Sequence, residues 1–150
     1  MNIKKNRSLL DYNTFGVESV AAHYLKITEE DEIQEALRYV EKNRVGFLVL
    51  GGGSNILFTS PKLNKAILHI QTKGIEITED KPETMTIDCA AGENWDDLVA
   101  FSVEHGLGGI ENMSMIPGTV GAAPIQNIGA YGQELKDTFE SARVLFLDDK

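Results

Sequence analysis

Two uncharged, glycine-rich stretches hold the residues of this chain best suited to bind a ligand. The first is Gly51-Gly52-Gly53-Ser54-Asn55, directly after the apolar run Phe47-Leu48-Val49-Leu50. The second runs from Ile116 to Gly132. It contains Pro117 and Pro124, no charged side chain, and Thr119, Gln126, Asn127 and Tyr131 as its strongly polar members. Glycine lets the main chain approach a neighbour closely and adopt positive φ, and consecutive N–H groups in such a turn can cradle an anion. Ser54 and Asn55 can add side-chain donors, and the amides and phenol of the second stretch can orient a ligand without adding charge. A solvated loop would be more polar, and a core strand would carry less Gly and Pro. Two readings stand side by side: backbone brought against a large ligand, or a Gly-rich crossover packed between two subdomains. The first turn is neither common phosphate fingerprint. Ile56 stands where a Rossmann turn needs its third glycine, and no Gly-Lys-Ser/Thr follows.

The surrounding elements must place these two stretches. Val20 to Ile27 reads as a strand, and residues 1–13 as a loose polar arm. A helix follows, with Thr28 as its cap and Asp31 at the capping-box position. Glu29, Glu30, Asp31 and Glu32 suit the positive end of the helix dipole, and Ile33, Ala36, Leu37 and Val40 form one apolar stripe. Phe47 to Leu50 is a short buried strand, and Ile56-Leu57-Phe58 resumes the apolar run as a strand. Strand, helix and strand predict a βαβ unit with parallel strands. Ala66 to Ile70, Ile75 to Thr78 and Met85 to Ala91 are further strand candidates, with the best subdomain boundary at Asp80 to Glu83. Asn94 caps a second helix whose inward face is Trp95, Leu98, Val99, Ser102 and Val103, and Gly106 stops it. Trp95 reads as a core anchor. Ala142 to Leu147 looks like a strand, and Asp148-Asp149-Lys150 begins a turn. A hairpin partner is expected next, so the chain reads as the first part of a longer protein.

Composition narrows the classes. The 150 residues, 42% hydrophobic, suffice for one domain or two small subdomains with a packed core. A net charge of −9 argues against general nucleic-acid binding and attachment to an anionic membrane. It leaves room for an anionic small ligand, because each hydrogen bond to a charged group contributes about 1.5–3 kcal/mol, whereas the average surface field is screened within roughly 8 Å. Cys89 is the single cysteine, so no intrachain disulfide forms, and a reducing compartment fits. It reads as a small buried residue. No apolar run approaches the roughly 20 residues of a membrane span, and no signal peptide is evident. His23, His69 and His105 are scattered, and no metal spacing is present. His105, at a helix end, reads as structural, and Glu111 as solvated.

Five motifs taken in order carry a resemblance. They are Asn13-Thr14-Phe15-Gly16, Leu50 to Asn55, Ala91-Gly92-Glu93-Asn94-Trp95, Ile116-Pro117-Gly118-Thr119-Val120-Gly121, and Pro124 to Gly132. Together they resemble the family of UDP-N-acetylenolpyruvoylglucosamine reductases (UDP-N-acetylmuramate dehydrogenases), type I branch, from about residue 13 to the chain end. One departure is Ala122-Ala123, where the type I pattern usually has two serines. The resemblance implies an α+β FAD-binding fold of the vanillyl-alcohol-oxidase type, in two subdomains (residues 1–80 and 81–150, the second incomplete) with the flavin between them. It implies that Gly51, Gly52, Gly53, Ser54 and Asn55 hold the FAD pyrophosphate. Pro117, Gly118, Thr119, Gly121, Ala122, Ala123, Ile125 and Gln126 would wrap the flavin and adenine sides through the backbone, and Tyr131 would reach toward the substrate. It further implies a cytoplasmic enzyme of peptidoglycan synthesis. NADPH supplies a hydride to bound FAD, which passes to the enolpyruvyl double bond of UDP-N-acetylglucosamine enolpyruvate to give UDP-N-acetylmuramate. The family's catalytic Ser, Glu and Arg would lie beyond residue 150, as would its substrate-binding domain, so the chain alone is expected to be inactive. Another FAD oxidoreductase of this fold and a non-catalytic nucleotide-binding module remain as alternatives.

Overall fold

The computed structural model describes residues 1–147. Its elements are β1 (Asn2–Ser8), β2 (Val20–Ile27), α1 (Asp31–Asn43), β3 (Gly46–Leu50), β4 (Lys62–Ile70), β5 (Ile75–Asp80), β6 (Met85–Cys89), α2 (Trp95–Glu104), β7 (Gly129–Ala130) and β8 (Gln133–Glu134). Short 3-10 turns occupy 10–12, 111–113, 120–125 and 135–137.

The first layer is a four-stranded sheet in the order β1-β2-β4-β3. β2 and β3 each pair parallel with β4. The strand–helix–strand reading therefore holds in direction, but β4 is inserted between the two strands that α1 connects. Alternation along the strands sorts the side chains into two cores. Leu25, Ile27, Ala66 and Leu68 face α1, meeting the stripe Ile33, Ala36, Leu37 and Val40. Tyr24, Ile67 and Leu50 face the other way, under Leu9, Tyr12 and Phe58.

Residues 2–8 are not a loose arm. They form β1, antiparallel to β2 from Asn2↔Lys26 to Ser8↔Val20. β1 is an edge strand exposed along nearly its whole length, so main-chain pairing holds it and no apolar alternation marks it. α1 begins later than its cap prediction. Thr28 is not the cap and Asp31 is not its reciprocal partner. Instead the Glu32 carboxylate accepts from the Thr28 N–H (2.7 Å) and the Glu29 N–H (3.2 Å). The N-terminal ammonium first, and then these contacts, hold Glu32 down at about 2. Ile56-Leu57-Phe58 is irregular rather than a strand; Phe58 is buried over the sheet while Leu57 stays exposed.

The second layer is built on α2. Asn94 caps it as expected, its Oδ1 accepting from the Asp96 N–H at 2.8 Å. Asn94→Ala should cost about 1 kcal/mol, read as a shift in the urea midpoint with an unchanged slope. Trp95, Leu98, Val99 and Ser102 are buried, with Met113, Ala123, Ile128 and Leu135 completing the cluster. Val103 departs from the expected face and is 55% exposed. Gly106 follows the last turn. Residues 80–83 are no linker: β5 and β6 pair antiparallel, and the Lys81 N–H bonds Thr84 O across their turn. Ile75, Ile87 and Cys89 pack against the α2 core, so the change from one core to the other falls at 71–74. Burial pushes the Cys89 thiol up to about 12, the mark of an unreactive cysteine.

Residues 142–147 are also corrected. They form no strand among the described residues, and Val144 to Leu147 are exposed. An apolar run becomes a strand only where another strand pairs with it, and none does here. The turn expected at Asp148-Asp149-Lys150 lies outside the described residues. Among the described residues, no helix is long and apolar enough to cross a membrane, and no group of His, Cys, Asp and Glu could hold a metal ion.

Candidate functional site

The two glycine-rich stretches meet. Trp95 N–H donates to Gly118 O at 3.1 Å and Val120 N–H to Glu93 O at 2.9 Å, seating the 117–120 segment against the start of α2. Ser54 Oγ then donates to Pro117 O at 3.1 Å, and Asn55 Nδ2 to Gln126 Oε1 at 2.6 Å. The contact is close. A Cβ on Gly51 would stand 2.5 Å from Thr119 Oγ1, and one on Gly52 would stand 3.2 Å from Gly118 Cα. Likewise a Cβ on Gly121 would meet Ala91 at 2.6 Å, and one on Gly92 would meet the Thr72 main chain at 2.5 Å. Close packing therefore accounts for some of the glycines in these stretches, in keeping with the crossover reading.

A ligand function rests on what this packing leaves over. Gly51, Gly52, Ser54, Pro117, Gly118 and Thr119 all line one cavity of about 640 Å³ between the layers. That lies within the roughly 300–1,000 Å³ of small-molecule sites. The main-chain N–H groups of Gly52, Gly53, Ser54, Asn55, Gly118 and Thr119 donate no hydrogen bond among the described residues. Gly53 is buried and Ser54, Gly118 and Thr119 are half-buried, whereas Gly52 and Asn55 are exposed, and neither Gly53 nor Asn55 lines the cavity. Buried or half-buried amides are normally paired, so the Ser54, Gly118 and Thr119 donors stand out as ones that an anion in the cavity could take up. Gly53 sits at φ +73° with its back against Tyr12, and Thr14 N–H donates to Gly53 O at 3.2 Å.

The other sequence-predicted residues are spread around this centre. Gly121 and Ala122 lie in the 3-10 turn behind the cavity wall, and Ala123 is buried in the α2 core, so only its main chain can meet a ligand. Ile125 is 85% exposed and Gln126 is held by Asn55, both outside the cavity. Tyr131 and Gly132 are the two central residues of the β7–β8 hairpin, with φ of 52° and 87°. This positive pair at both positions is the two-residue turn that suits a hairpin, and it places Tyr131 91% exposed at the tip.

Several cavity residues escaped sequence reasoning: Lys26, His69, Gln71 and Lys73 from the first layer, and Gly92 and Asn94 from the second. Lys26 and His69 are row partners at the C-terminal ends of β2 and β4, the usual ligand edge of an α/β sheet. That edge was the available signal, but it needed the β2–β4 pairing to be read. At the rim, Glu93 accepts from Lys73 Nζ at 2.9 Å and from the Gly74 N–H at 2.8 Å. The lysine holds its carboxyl below the ordinary range. His105 is structural, with Nδ1 2.8 Å from Phe101 O. Glu111 is exposed and accepts from Gln133 Nε2 and the Gly109 N–H.

An α+β chain in two layers, with paired glycine turns facing a cleft, defines a nucleotide-cofactor binding domain. The match to the FAD binding domain family covers residues 21–149, and the chain belongs to that family. Within it, the chain is similar to UDP-N-acetylenolpyruvoylglucosamine reductases. It is 43% identical over 145 residues to the one from Pseudomonas fluorescens (97% of this chain, 42% of the relative). It is 42% identical over 148 residues to the one from Flavobacterium johnsoniae (99% and 43%). Among solved structures, the UDP-N-acetylenolpyruvylglucosamine reductase of Thermus caldophilus aligns with a TM-score of 0.65 and 25% identity, over 91% of this chain and 45% of that one. The chain thus spans less than half the length of the curated relatives it matches.

Proposed function

We propose that the cleft binds FAD, and that the chain is the FAD-binding part of an NADPH-dependent reductase acting on UDP-N-acetylglucosamine enolpyruvate in peptidoglycan synthesis. The observation that carries this reading is the set of unpaired main-chain donors on two facing turns in a member of the FAD binding domain family. A pyrophosphate needs several donors and more positive than negative charge around it. The Gly52–Asn55 and Gly118–Thr119 amides supply the donors, and Lys26 and Lys73 bring positive charge to an otherwise acidic chain. Glu29 is the one carboxylate among the cavity residues. Gly121, Ala122, Ala123, Ile125 and Gln126 would follow the rest of the cofactor with backbone contacts, and Ala122-Ala123 would give none of the hydroxyl donors that serines would. Bound FAD would supply the hydride-transfer chemistry. This chain's residues would hold it, keep water from its diphosphate and leave Tyr131 exposed to meet substrate. No catalytic residue is assigned within the chain, and a cytoplasmic setting follows from the same reading. We place the division into two FAD-binding subdomains at 71–74, where the packing changes core, rather than at 80–83.

The test is the visible absorbance of the purified chain before and after incubation with FAD and desalting. A retained flavin band is the expected result. A folded chain that retains none would overturn the claim that these turns suffice. Joined to the part of a full-length reductase that it does not cover, the chain should give NADPH- and substrate-dependent turnover. FAD binding without reduction by NADPH in that context would favour a non-catalytic nucleotide-binding module.

A further inference from the structure

One buried titratable side chain lines the cavity. His69 is 5% exposed, yet it lines the cavity. It stands at the C-terminal end of β4, on the sheet face that also carries Tyr24. Its Nδ1 lies 2.6 Å from the Tyr24 hydroxyl, and its Nε2 lies 3.3 Å from Gln71 Nε2. Two nitrogens facing each other require that one accept. With the Gln71 amide as placed, the ring is neutral, with its proton on Nδ1 directed at Tyr24.

Every neighbour bears on the ring's charge. From β2 come Tyr24 and Lys26, the latter its row partner. Tyr12 packs edge-on, 5.3 Å between ring centroids, and receives Arg7 Nη2 at 2.8 Å. Burial is the largest influence and disfavours the charged ring; the Gly51 main chain, just past the end of β3, favours it, and Lys26 weakly opposes it. Glu29 and Lys73 stand elsewhere on the cavity wall. In the free protein burial prevails and His69 is held below its ordinary value.

We propose that His69 is a proton-accepting contact for the diphosphate of the bound dinucleotide, so that binding takes up one proton from solvent. The inference rests on the FAD reading above. A dianionic diphosphate on the Gly52–Ser54 amides would lie in the same cavity as the ring and offset the desolvation that keeps it neutral. The surroundings accommodate both states. Tyr24 carries a rotatable hydroxyl whose oxygen can accept from Nδ1–H in both states. The Gln71 amide can turn its oxygen toward Nε2–H or cede that position to a phosphate oxygen.

The sign is as follows. Binding raises the ring's affinity for protons, so lower pH favours binding. The gain is full below the free-state value and is lost as pH rises through the bound-state value. FAD affinity, followed by flavin fluorescence, should tighten steadily as pH falls from about 8 to about 5, by at most about tenfold for a shift of one unit. Calorimetry in two buffers of different ionisation enthalpy should show proton uptake. His69→Gln should bind FAD with little pH dependence. Should that variant fail to fold, the wild-type imidazole resonances decide the question: the His69 titration should move upward when FAD is added. An unmoved His69 titration, or the same pH dependence in wild type and His69→Gln, overturns the inference while leaving FAD binding intact. No FAD binding at any pH overturns the underlying reading as well.

Discussion

Gly53→Ala should abolish FAD retention and lower stability by roughly 2–4 kcal/mol, among the larger effects of a single substitution. Two costs add. The residue sits at φ +73°, where a side chain costs about 1–2 kcal/mol. A Cβ there would also stand 2.1 Å from Tyr12 O, 2.8 Å from Tyr12 C and 3.1 Å from Asn13 Cα. All three are main-chain atoms, so no flexible side chain can swing away. The opposing segment is itself fixed, because Asn13 Nδ2 donates to Leu9 O at 2.8 Å and to Val17 O at 3.0 Å. The turn must therefore shift, and with it the amides of Gly52, Ser54 and Asn55. Gly16→Ala separates the two costs. Its φ is +61°, but nothing lies within 4 Å of the added carbon. It should lose about 1–2 kcal/mol and keep FAD. Urea unfolding and the flavin band after desalting measure both variants; a Gly53→Ala protein with wild-type stability and a retained band would contradict the geometry.

The sequence carried the elements whose side chains do the work. The α1 stripe, the Asn94 cap and Trp95 as core anchor all showed as residue patterns, because in each the packing or capping group lies within a few positions along the chain. What did not show was set by main-chain pairing. β1 has polar residues on both faces, so its role as an edge strand was invisible until β2 was beside it. The apolar runs 56–58 and 142–147 look like strands because hydrophobicity alone cannot say whether a partner is present. At 80–83 the ambiguity runs the other way: Pro82 and its charged neighbours mark a turn, here the one between β5 and β6, as well as they would mark a boundary. The site divided along the same line. Its glycine turns were legible as unusual composition. Lys26, His69 and Gln71 were not, since only the parallel β2–β4 register brings their strand ends to one cavity. Glycine content also proved to have two causes. Gly51, Gly52 and Gly92 sit where the layers touch and Gly121 packs on Ala91 within the second layer, while the proposed anion-binding amides are what these contacts leave unpaired.

Trp95→Ala should cost about 3–5 kcal/mol, and its effect should be unequal across the molecule. Trp95 is 1% exposed, the largest fully buried side chain. Its Nε1–H donates to Met113 O at 2.8 Å, so truncation leaves both a cavity and an unpaired carbonyl worth about 1–3 kcal/mol. Its neighbours Leu98, Val99, Met113, Ala123, Ile128 and Leu135 belong to the second core, whereas the β2–β4 sheet closes its own two cores without it. If the chain is two cooperative units divided at 71–74, thermal unfolding of Trp95→Ala should split into two transitions, the first-layer transition staying near its wild-type temperature. FAD should be lost with the earlier transition, because unfolding of the second layer releases the main-chain bond from Trp95 N–H to Gly118 O that positions the 117–119 wall. A single transition shifted as a whole would instead mean that the contacts of Gly51 with Thr119 and of Gly92 with Thr72 bind the layers into one unit. Trp95→Phe keeps most of the burial and loses only the indole donor. It should fall between the two, at about 1–3 kcal/mol, and still retain the flavin band.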